Sequence, residues 1–313
     1  MKVSAVKPLV SVVIPFYNAA VYLPRCLENL QNQTLKEIEY LFVDDGSTDE
    51  GATFIEHCRN EQIKLIRLPH NSGQSIARNR GIAAASGEYI GFIDADDKID
   101  NAYFEQLYQT AVKNQADIAM AATVMYHGNK PAMMIPQQPK AEDFTDKMSL
   151  LPHGAVWDKI FKAELLQKHQ LDFFPQRIWE DSLFNLQALF YANKICTKPS
   201  VAYHYYLNEG SSLNNRGKQK KKREDNLFIA KKMLEFAHAH LPEKDIGIVE
   251  NFISKKMFLD QLLLNRSFRQ QACKILPRDT DLQRRCRKFA KKSLFSFSLK
   301  KKRLMLCGFN LWK

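Results

Sequence analysis

The 313-residue sequence has no apolar run of eighteen or more residues, so nothing in it reads as a membrane-spanning helix. Its first residues, Met1 to Lys7, lack the hydrophobic core of a signal peptide, and the apolar segment that follows alternates like a strand and contains Pro15. Six cysteines (Cys26, Cys58, Cys196, Cys273, Cys286 and Cys307) show neither CxxC spacing nor a clustered histidine. That usage fits the reduced thiols of a cytosolic protein and argues against a zinc site. No glycine-rich loop bearing Lys or Arg follows the first apolar segment, where a nucleotidyltransferase would be expected to carry one. The residues there are Pro15-Phe16-Tyr17-Asn18-Ala19-Ala20.

What is present is an ordinary globular composition, 45% hydrophobic, with very uneven charge. The net charge of +12 hides two regions. Residues 214–313 hold 26 Lys and Arg against 9 Asp and Glu, whereas residues 1–213 hold 20 against 25. A composition break at Asn214-Asn215-Arg216-Gly217 precedes the basic run from Lys218 to Arg223. The expected division is therefore a mildly acidic domain, 1–213, and a basic helical region, 214–313.

The first hundred residues alternate strand and helix. Leu9 to Ile14, Tyr40 to Val43, Ile63 to Leu68 and Glu88 to Ile93 read as strands. Helices are expected over Ala19 to Asn32, from Thr48 or Asp49 through Cys58, from Gln74 to Ala85 and from Asn101 to Lys113. This alternation predicts an α/β fold with a mostly parallel sheet flanked by helices, presenting ligands at its C-terminal edge. Further on, Asp117 to Val124 reads as a strand followed by an irregular loop to about Lys140. Trp157 to His169 reads as a helix, Trp179-Glu180-Asp181 opens another through Ala192, and Ala202 to Tyr206 reads as a strand.

The most informative stretch is Gly91-Phe92-Ile93-Asp94-Ala95-Asp96-Asp97, which packs three carboxylates into four positions directly after a buried strand. Like charges this close repel unless a cation compensates them, and a hard divalent metal carrying a phosphorylated substrate supplies that reason. Three other features also stand at strand ends: Pro15-Phe16-Tyr17-Asn18, Val43-Asp44-Asp45-Gly46-Ser47, and Asn71-Ser72-Gly73 with Ala77-Arg78-Asn79 on the helix after it. The ordered set resembles the inverting family 2 glycosyltransferases of GT-A fold, densely over residues 9–100 and thinly to about 213.

That resemblance implies roles. Pro15, Tyr17 and Asp44 would surround the nucleotide of a UDP-sugar donor with Asp45 assisting; an acidic side chain can accept the uracil imide N–H and an aromatic can cover the base. Arg78, fixed in charge and forked, suits phosphate or the bracing of aspartates. Asp94 would contact the ribose, with Ala95 beside it in the donor-binding set, and Asp96 would hold Mn²⁺ or Mg²⁺. Asp97 is open between a sugar-hydroxyl acceptor and a helix cap. Asp181 matches the family's catalytic base and Glu180 supports it, although acids are also favoured on a helix's first turn. Trp157-Asp158-Lys159 resembles an element near the acceptor, although Trp157 reads equally well as a core residue. His204, in Tyr203-His204-Tyr205-Tyr206, is a candidate late metal ligand or a packed strand residue.

Residues 284–313 hold eleven Lys and Arg and no acid. Leu282, Cys286, Phe289, Ser293 and Phe297 fall near one helical face with most of the basic side chains elsewhere, which reads as a surface anchor on an anionic membrane. No stacking-aromatic motif accompanies the charge, so nucleic acid is not the expected partner. The expected protein transfers sugar to a glycan or glycolipid acceptor, in bacterial lipopolysaccharide or capsule synthesis, from the cytoplasmic face of the membrane. The competing readings are a nucleotidyltransferase and a non-enzymatic basic scaffold.

Overall fold

The computed structural model describes residues 7–127, 130–134, 143–150, 155–206, 219–258, 266–276 and 284. The chain divides into two compact units, Met1–Gln219 and Lys220–Lys313. The boundary expected at 213/214 lies outside the described residues, as does the expected basic amphipathic helix apart from Arg284.

The first unit is built on a nine-stranded sheet among the described residues, in the order β3-β2-β1-β4-β8-β6-β9-β5 with β7 paired to β6. Strands β1 (Val10–Phe16), β2 (Ile38–Asp44), β3 (Ile63–Arg67) and β4 (Tyr89–Phe92) run parallel. All seven residues of β1 and of β2 are buried, the signature of strands covered on both faces. The crossover helices are α1 (Leu23–Gln31), α2 (Gly51–Glu56) and α3 (Gln74–Ala84). On α1 the apolar stripe Leu23, Cys26, Leu27 and Leu30 is buried at helical spacing. Helix α3 lies hard against β1 at Gly81, where a Cβ would come within 2.2 Å of Val13 Cγ1. The chain lays down β1, β2 and β3 outward in one direction and then returns to place β4 on the other side of β1. The order of strands reverses there, and such a switch point opens a ligand crevice at the carboxyl ends of the strands.

The rest of the sheet is mixed. Strand β5 (Lys98–Ile99) pairs antiparallel with β9 (Ile195–Tyr206), and helix α4 (Tyr103–Asn114) leads to β6 (Ile118–His127) and β7 (Lys130–Met134). Strand β8 (Lys159–Lys162) sits between β4 and β6, antiparallel to both. Its place corrects the helix expected from Trp157 to His169: a four-residue strand comes first, and only α6 (Ala163–Lys168) is helical. A short apolar run covered on both faces carries no periodicity to separate strand from helix. The stretch expected as an irregular loop contains β7, and β9 starts seven residues before the predicted strand. Short α5 (Phe144–Met148) and the longer α7 (Glu180–Tyr191) complete the unit.

The second unit is helical in its described residues: α8 (Gln219–His240, whose first residue closes the first unit), α9 (Glu243–Phe252), a π-helical turn (Ile253–Met257) and α10 (Arg266–Ile275). Within it Asn226 is buried and donates to the Met257 carbonyl at 2.6 Å. No described helix is long and apolar enough to cross a membrane.

Candidate active site

The parallel register places the ends of β1 and β2 level, with Phe16 opposite Asp44 and Asp44 opposite Arg67. Asp44 is buried, accepts the Ser47 N–H at 2.8 Å and lies 3.6 Å from Arg67 Nε. Asp45 is buried too, but it reaches across to the next crossover and accepts the N–H groups of Ser72 (2.7 Å) and Gly73 (2.8 Å). It therefore ties the end of β2 to the start of α3. The turn after β2 needs Gly46, whose φ is +73° and where an added Cβ would sit 2.6 Å from the His70 carbonyl carbon. Pro15 is buried in β1 beside Val43, and Tyr17 stands out from the strand end with 45% of its surface exposed.

Arg78 is the centre of the arrangement. It projects from α3, is 2% exposed, and meets three carboxylates from two distant stretches of chain. Its Nη1 lies 2.7 Å from Asp181 and 3.3 Å from Glu180, and its Nη2 lies 3.1 Å from Asp94. The guanidinium also sits over the Phe173 ring, 5.2 Å from its centroid. Its neighbour Asn79 fixes that ring's segment by giving a hydrogen bond to the Phe173 carbonyl (2.9 Å) and taking one from the Phe173 N–H (2.8 Å). A buried cation with three acids leaves an excess of negative charge. Burial pushes the Glu180 and Asp181 carboxyls above the usual carboxylate range, and the Arg78 charge pulls both back only in part. Glu180 and Asp181 open α7 directly after Trp179, whose φ of +76° is unusual for a bulky side chain. Strain of this kind gathers where a protein must hold a side chain against its local preference.

The acidic segment after β4 forms a tight turn closed by the Asp97 N–H on the Asp94 carbonyl (3.1 Å). Asp94 also takes a hydrogen bond from Gln74 at 2.9 Å. Ala95 is buried, and the Asp96 carbonyl accepts from the Arg25 guanidinium. Asp97 turns inward: it is 1% exposed, accepts the Tyr203 hydroxyl (2.8 Å) and the Tyr206 N–H (2.9 Å), and burial with the neighbouring Asp94 and Asp96 pushes it up to about 8. Neither of its expected roles, sugar acceptor or helix cap, describes these contacts.

The structure thus brings Arg78, Asp94, Glu180 and Asp181 into one cluster. His204 is not in it. Its Nε2 pairs with Asp100 at 2.8 Å and its Nδ1 with the Tyr126 hydroxyl at 3.1 Å, so both ring nitrogens are engaged. Trp157 stacks on Tyr203 (4.2 Å, 20°) and Tyr205 (5.5 Å, 9°), while Lys159 is buried, pairs with Asp158 and donates to the Ala155 carbonyl at 2.6 Å. Gln74, Arg25 and Tyr203 were not anticipated. Gln74 lies in the expected motif, one residue after Gly73, and was the one most open to recognition.

Among the described residues no three or more His, Cys, Asp or Glu side chains gather so that they could hold a metal alone. The turn still offers hard carboxylate oxygens from Asp94 and Asp96. A magnesium-type ion needs only one or two protein carboxylates when substrate phosphates supply the remaining ligands. The donor set fits an ion that arrives with a diphosphate.

The family model for glycosyl transferase family 2 matches residues 11–171, more than half of the chain. The chain belongs to glycosyl transferase family 2. Among its relatives, the uncharacterized glycosyltransferase EpsJ of Bacillus subtilis is 33% identical over 65% of this chain and 62% of its own length. The poly(ribitol-phosphate) beta-glucosyltransferase of Bacillus spizizenii is 31% identical over 63% of this chain and 32% of its own. The chain therefore spans less than two thirds of either relative. The structure of residues 1–349 of S. aureus TarS in complex with UDP-GlcNAc superposes with a TM-score of 0.72 at 24% identity, covering 88% of this chain and 81% of that one. The fold of this family 2 chain is accordingly the GT-A fold, as the motif order led us to expect.

Proposed function

We propose that this family 2 chain is an inverting glycosyltransferase that moves a sugar from a UDP-sugar to a hydroxyl of a glycan or glycolipid. The observation that carries the proposal is the Arg78 cluster: one buried cation gathers Asp94, from the switch point of the sheet, and Glu180 and Asp181, from the start of α7. The complex of TarS with UDP-GlcNAc supports the choice of donor.

Asp181 is the base. As the acceptor oxygen bonds to the anomeric carbon, its proton passes to an Asp181 carboxylate oxygen, while the bond from that carbon to the diphosphate breaks and its electron pair leaves with UDP. A single in-line displacement inverts the centre, so an α-linked donor gives a β-linked product. The raised carboxyl of Asp181 makes it a better base than a solvated aspartate. Arg78 holds Asp181 and Asp94 in place, and Glu180 shares the guanidinium. Asp44 and Tyr17 stand at the strand ends that would receive the uracil, and Pro15 lies in β1 just before Tyr17, beside Val43. Asp96 would hold Mn²⁺ or Mg²⁺, an ion that offsets charge on the departing diphosphate, and Asp94, expected at the ribose, offers a second carboxylate beside it.

We read the basic tail as the part that keeps the enzyme on the anionic inner face of the cell membrane, where a lipopolysaccharide or capsule glycan would be built. Eleven Lys and Arg without an acid over residues 284–313 support it, since each basic residue near an anionic leaflet contributes roughly 1 kcal/mol.

The test is a panel of UDP-sugars with and without Mn²⁺, read as release of UDP, with anionic or neutral vesicles added and then sedimented. Release of UDP from at least one sugar, lost on chelation, is expected, together with salt-sensitive pelleting on anionic vesicles only. A protein that neither binds UDP nor releases it from any sugar is no UDP-sugar transferase, and equal recovery with both vesicle types removes the membrane role.

A further inference from the structure

The Asp94–Asp97 turn puts three carboxylates side by side, with neither glycine nor proline to preset its backbone. Its shape is imposed from elsewhere. The hydroxyl of Tyr203, 109 residues beyond Asp94, accepts the Asp94 N–H at 3.1 Å and donates to Asp97 Oδ2 at 2.8 Å. One oxygen atom therefore grips both ends of the turn, using the single donor a phenol has and one of its accepting positions. The second oxygen of Asp97 takes the Tyr206 N–H at 2.9 Å, and β5 pairs Lys98 and Ile99 with His204 and Tyr203 directly after the turn. The Tyr203 ring is fully buried and cannot swing, being stacked on Trp157 at 4.2 Å and set edge-on to Tyr103 at 6.5 Å. Asp96 lies between the two gripped residues, so its backbone position follows from theirs.

We propose that Tyr203 is a positioning residue of the donor site: its hydroxyl clasps the acidic turn so that Asp94 and Asp96 stand ready for the diphosphate and its ion. The catalytic consequence rests on the transferase reading above, whereas the clasp itself does not. A hydroxyl that only satisfied a buried polar group would need one partner. This one has two, at the two ends of the segment whose geometry the chemistry demands, and it is held by a strand from the far half of the sheet. The strand that carries it also bears on the residue just after β5, because the Ala202 N–H donates to Asp100 at 2.8 Å.

Tyr203→Phe in the full chain removes the oxygen and keeps the ring stack. Amide hydrogen exchange followed by mass spectrometry should quicken at least tenfold over residues 94–97 while β1 and β2 keep their protection. In turnover of whichever UDP-sugar the parent accepts, the Mn²⁺ concentration for half activation and the donor KM should each rise at least tenfold. If Tyr203→Phe does not fold, Asp97→Asn, which keeps the shape and one accepting oxygen, is read by the same two measurements. Unchanged exchange in the turn overturns the clasp. Faster exchange with an unaltered Mn²⁺ requirement and donor KM reduces Tyr203 to a structural hydrogen bond and overturns the positioning role. A parent protein that turns over no UDP-sugar defeats the transferase reading, and the exchange comparison still decides the clasp.

Discussion

The two halves of the sheet furnish the site by different means. The parallel half, β1 to β4, delivers its polar groups at strand ends, each within a few residues of the strand that positions it. Asp44 meets Ser47, three residues away, and Asp94 stands two residues after the end of β4. The mixed half, β6 to β9, delivers single residues over long distances in sequence. Glu180 and Asp181 reach Arg78 across 102 and 103 residues, and Tyr203 reaches Asp97 across 106. The ligand-facing residues of the proposed donor side are thus written in contiguous segments, with one of them braced from afar by Tyr203, and the proposed acceptor side exists only once the chain has folded. A strand end at a switch point is a fixed platform for any ligand.

The sharpest break between the halves is a pair of substitutions, one on each. Asp181→Asn keeps the shape of the side chain and its place against Arg78 but cannot take a proton. Transfer should fall by about 10²–10⁴-fold, the usual worth of a positioned base, while calorimetric binding of UDP is retained. Asp96→Ala should lose transfer to at least the same extent and also lose the response to Mn²⁺, with an unchanged circular dichroism spectrum. If both variants lose UDP binding equally, the two halves do not divide the labour as drawn. Full activity in Asp181→Asn sends the base elsewhere.

The same contrast explains what could be read before folding. The parallel order β1 to β4 and the cluster's Arg78, Asp94, Glu180 and Asp181 were legible, because motif and strand lie together or because an acid pair at a helix start stands out. Strand β8 was not, since Lys159-Ile160-Phe161-Lys162 is too short and too evenly buried to show a period. The roles of Asp45 and Asp97 were not legible either. Both read in sequence as ligand groups or as local turn and cap residues, yet one ties down the Ser72–Gly73 loop and the other turns inward to Tyr203 and Tyr206, contacts that depend on tertiary pairing. The aromatic run Tyr203 to Tyr206 drew attention to its histidine, while the hydroxyl beside it makes the contact with the acidic turn.

Arg78 joins the halves, and removing it tests whether they are held together by charge. Arg78→Met keeps much of the stem and leaves three carboxyls without their cation. Breaking a buried pair by deleting one partner costs about 3–5 kcal/mol. The orphaned carboxyls relieve themselves by binding protons, so the loss should be greatest near pH 8 and shrink toward pH 5. Urea unfolding of parent and variant at both values checks this. A loss under about 1 kcal/mol, or one independent of pH, means that packing and not the guanidinium unites the cluster.

The smallest effect lies within the parallel half, at the edge away from the site. Glu39, the second residue of β2, is buried and binds Ser11 Oγ (2.5 Å), Ser86 N and Oγ (2.7 Å each) and Lys64 Nζ (2.6 Å), stitching together the starts of β1, β2 and β4. Burial pushes its carboxyl up, but the hydrogen bonds from Lys64, Ser11 and Ser86 outweigh that and hold it at about 2. With the folded value below the ordinary 4.5, the stabilisation is present above pH 4.5 and is lost as the pH falls toward 2. Glu39→Gln cannot titrate, so its unfolding midpoint in urea should change less with pH between 5 and 2.5 than the parent's, while UDP release near neutrality stays within about twofold, since Glu39 stands at the strand starts and the site at the strand ends. Parallel pH curves for the two proteins would show that the stitch draws no strength from the charge. A large loss of UDP release would mean that the two edges of the parallel half are not independent, and the separation between a structural edge and a chemical one would have to be abandoned.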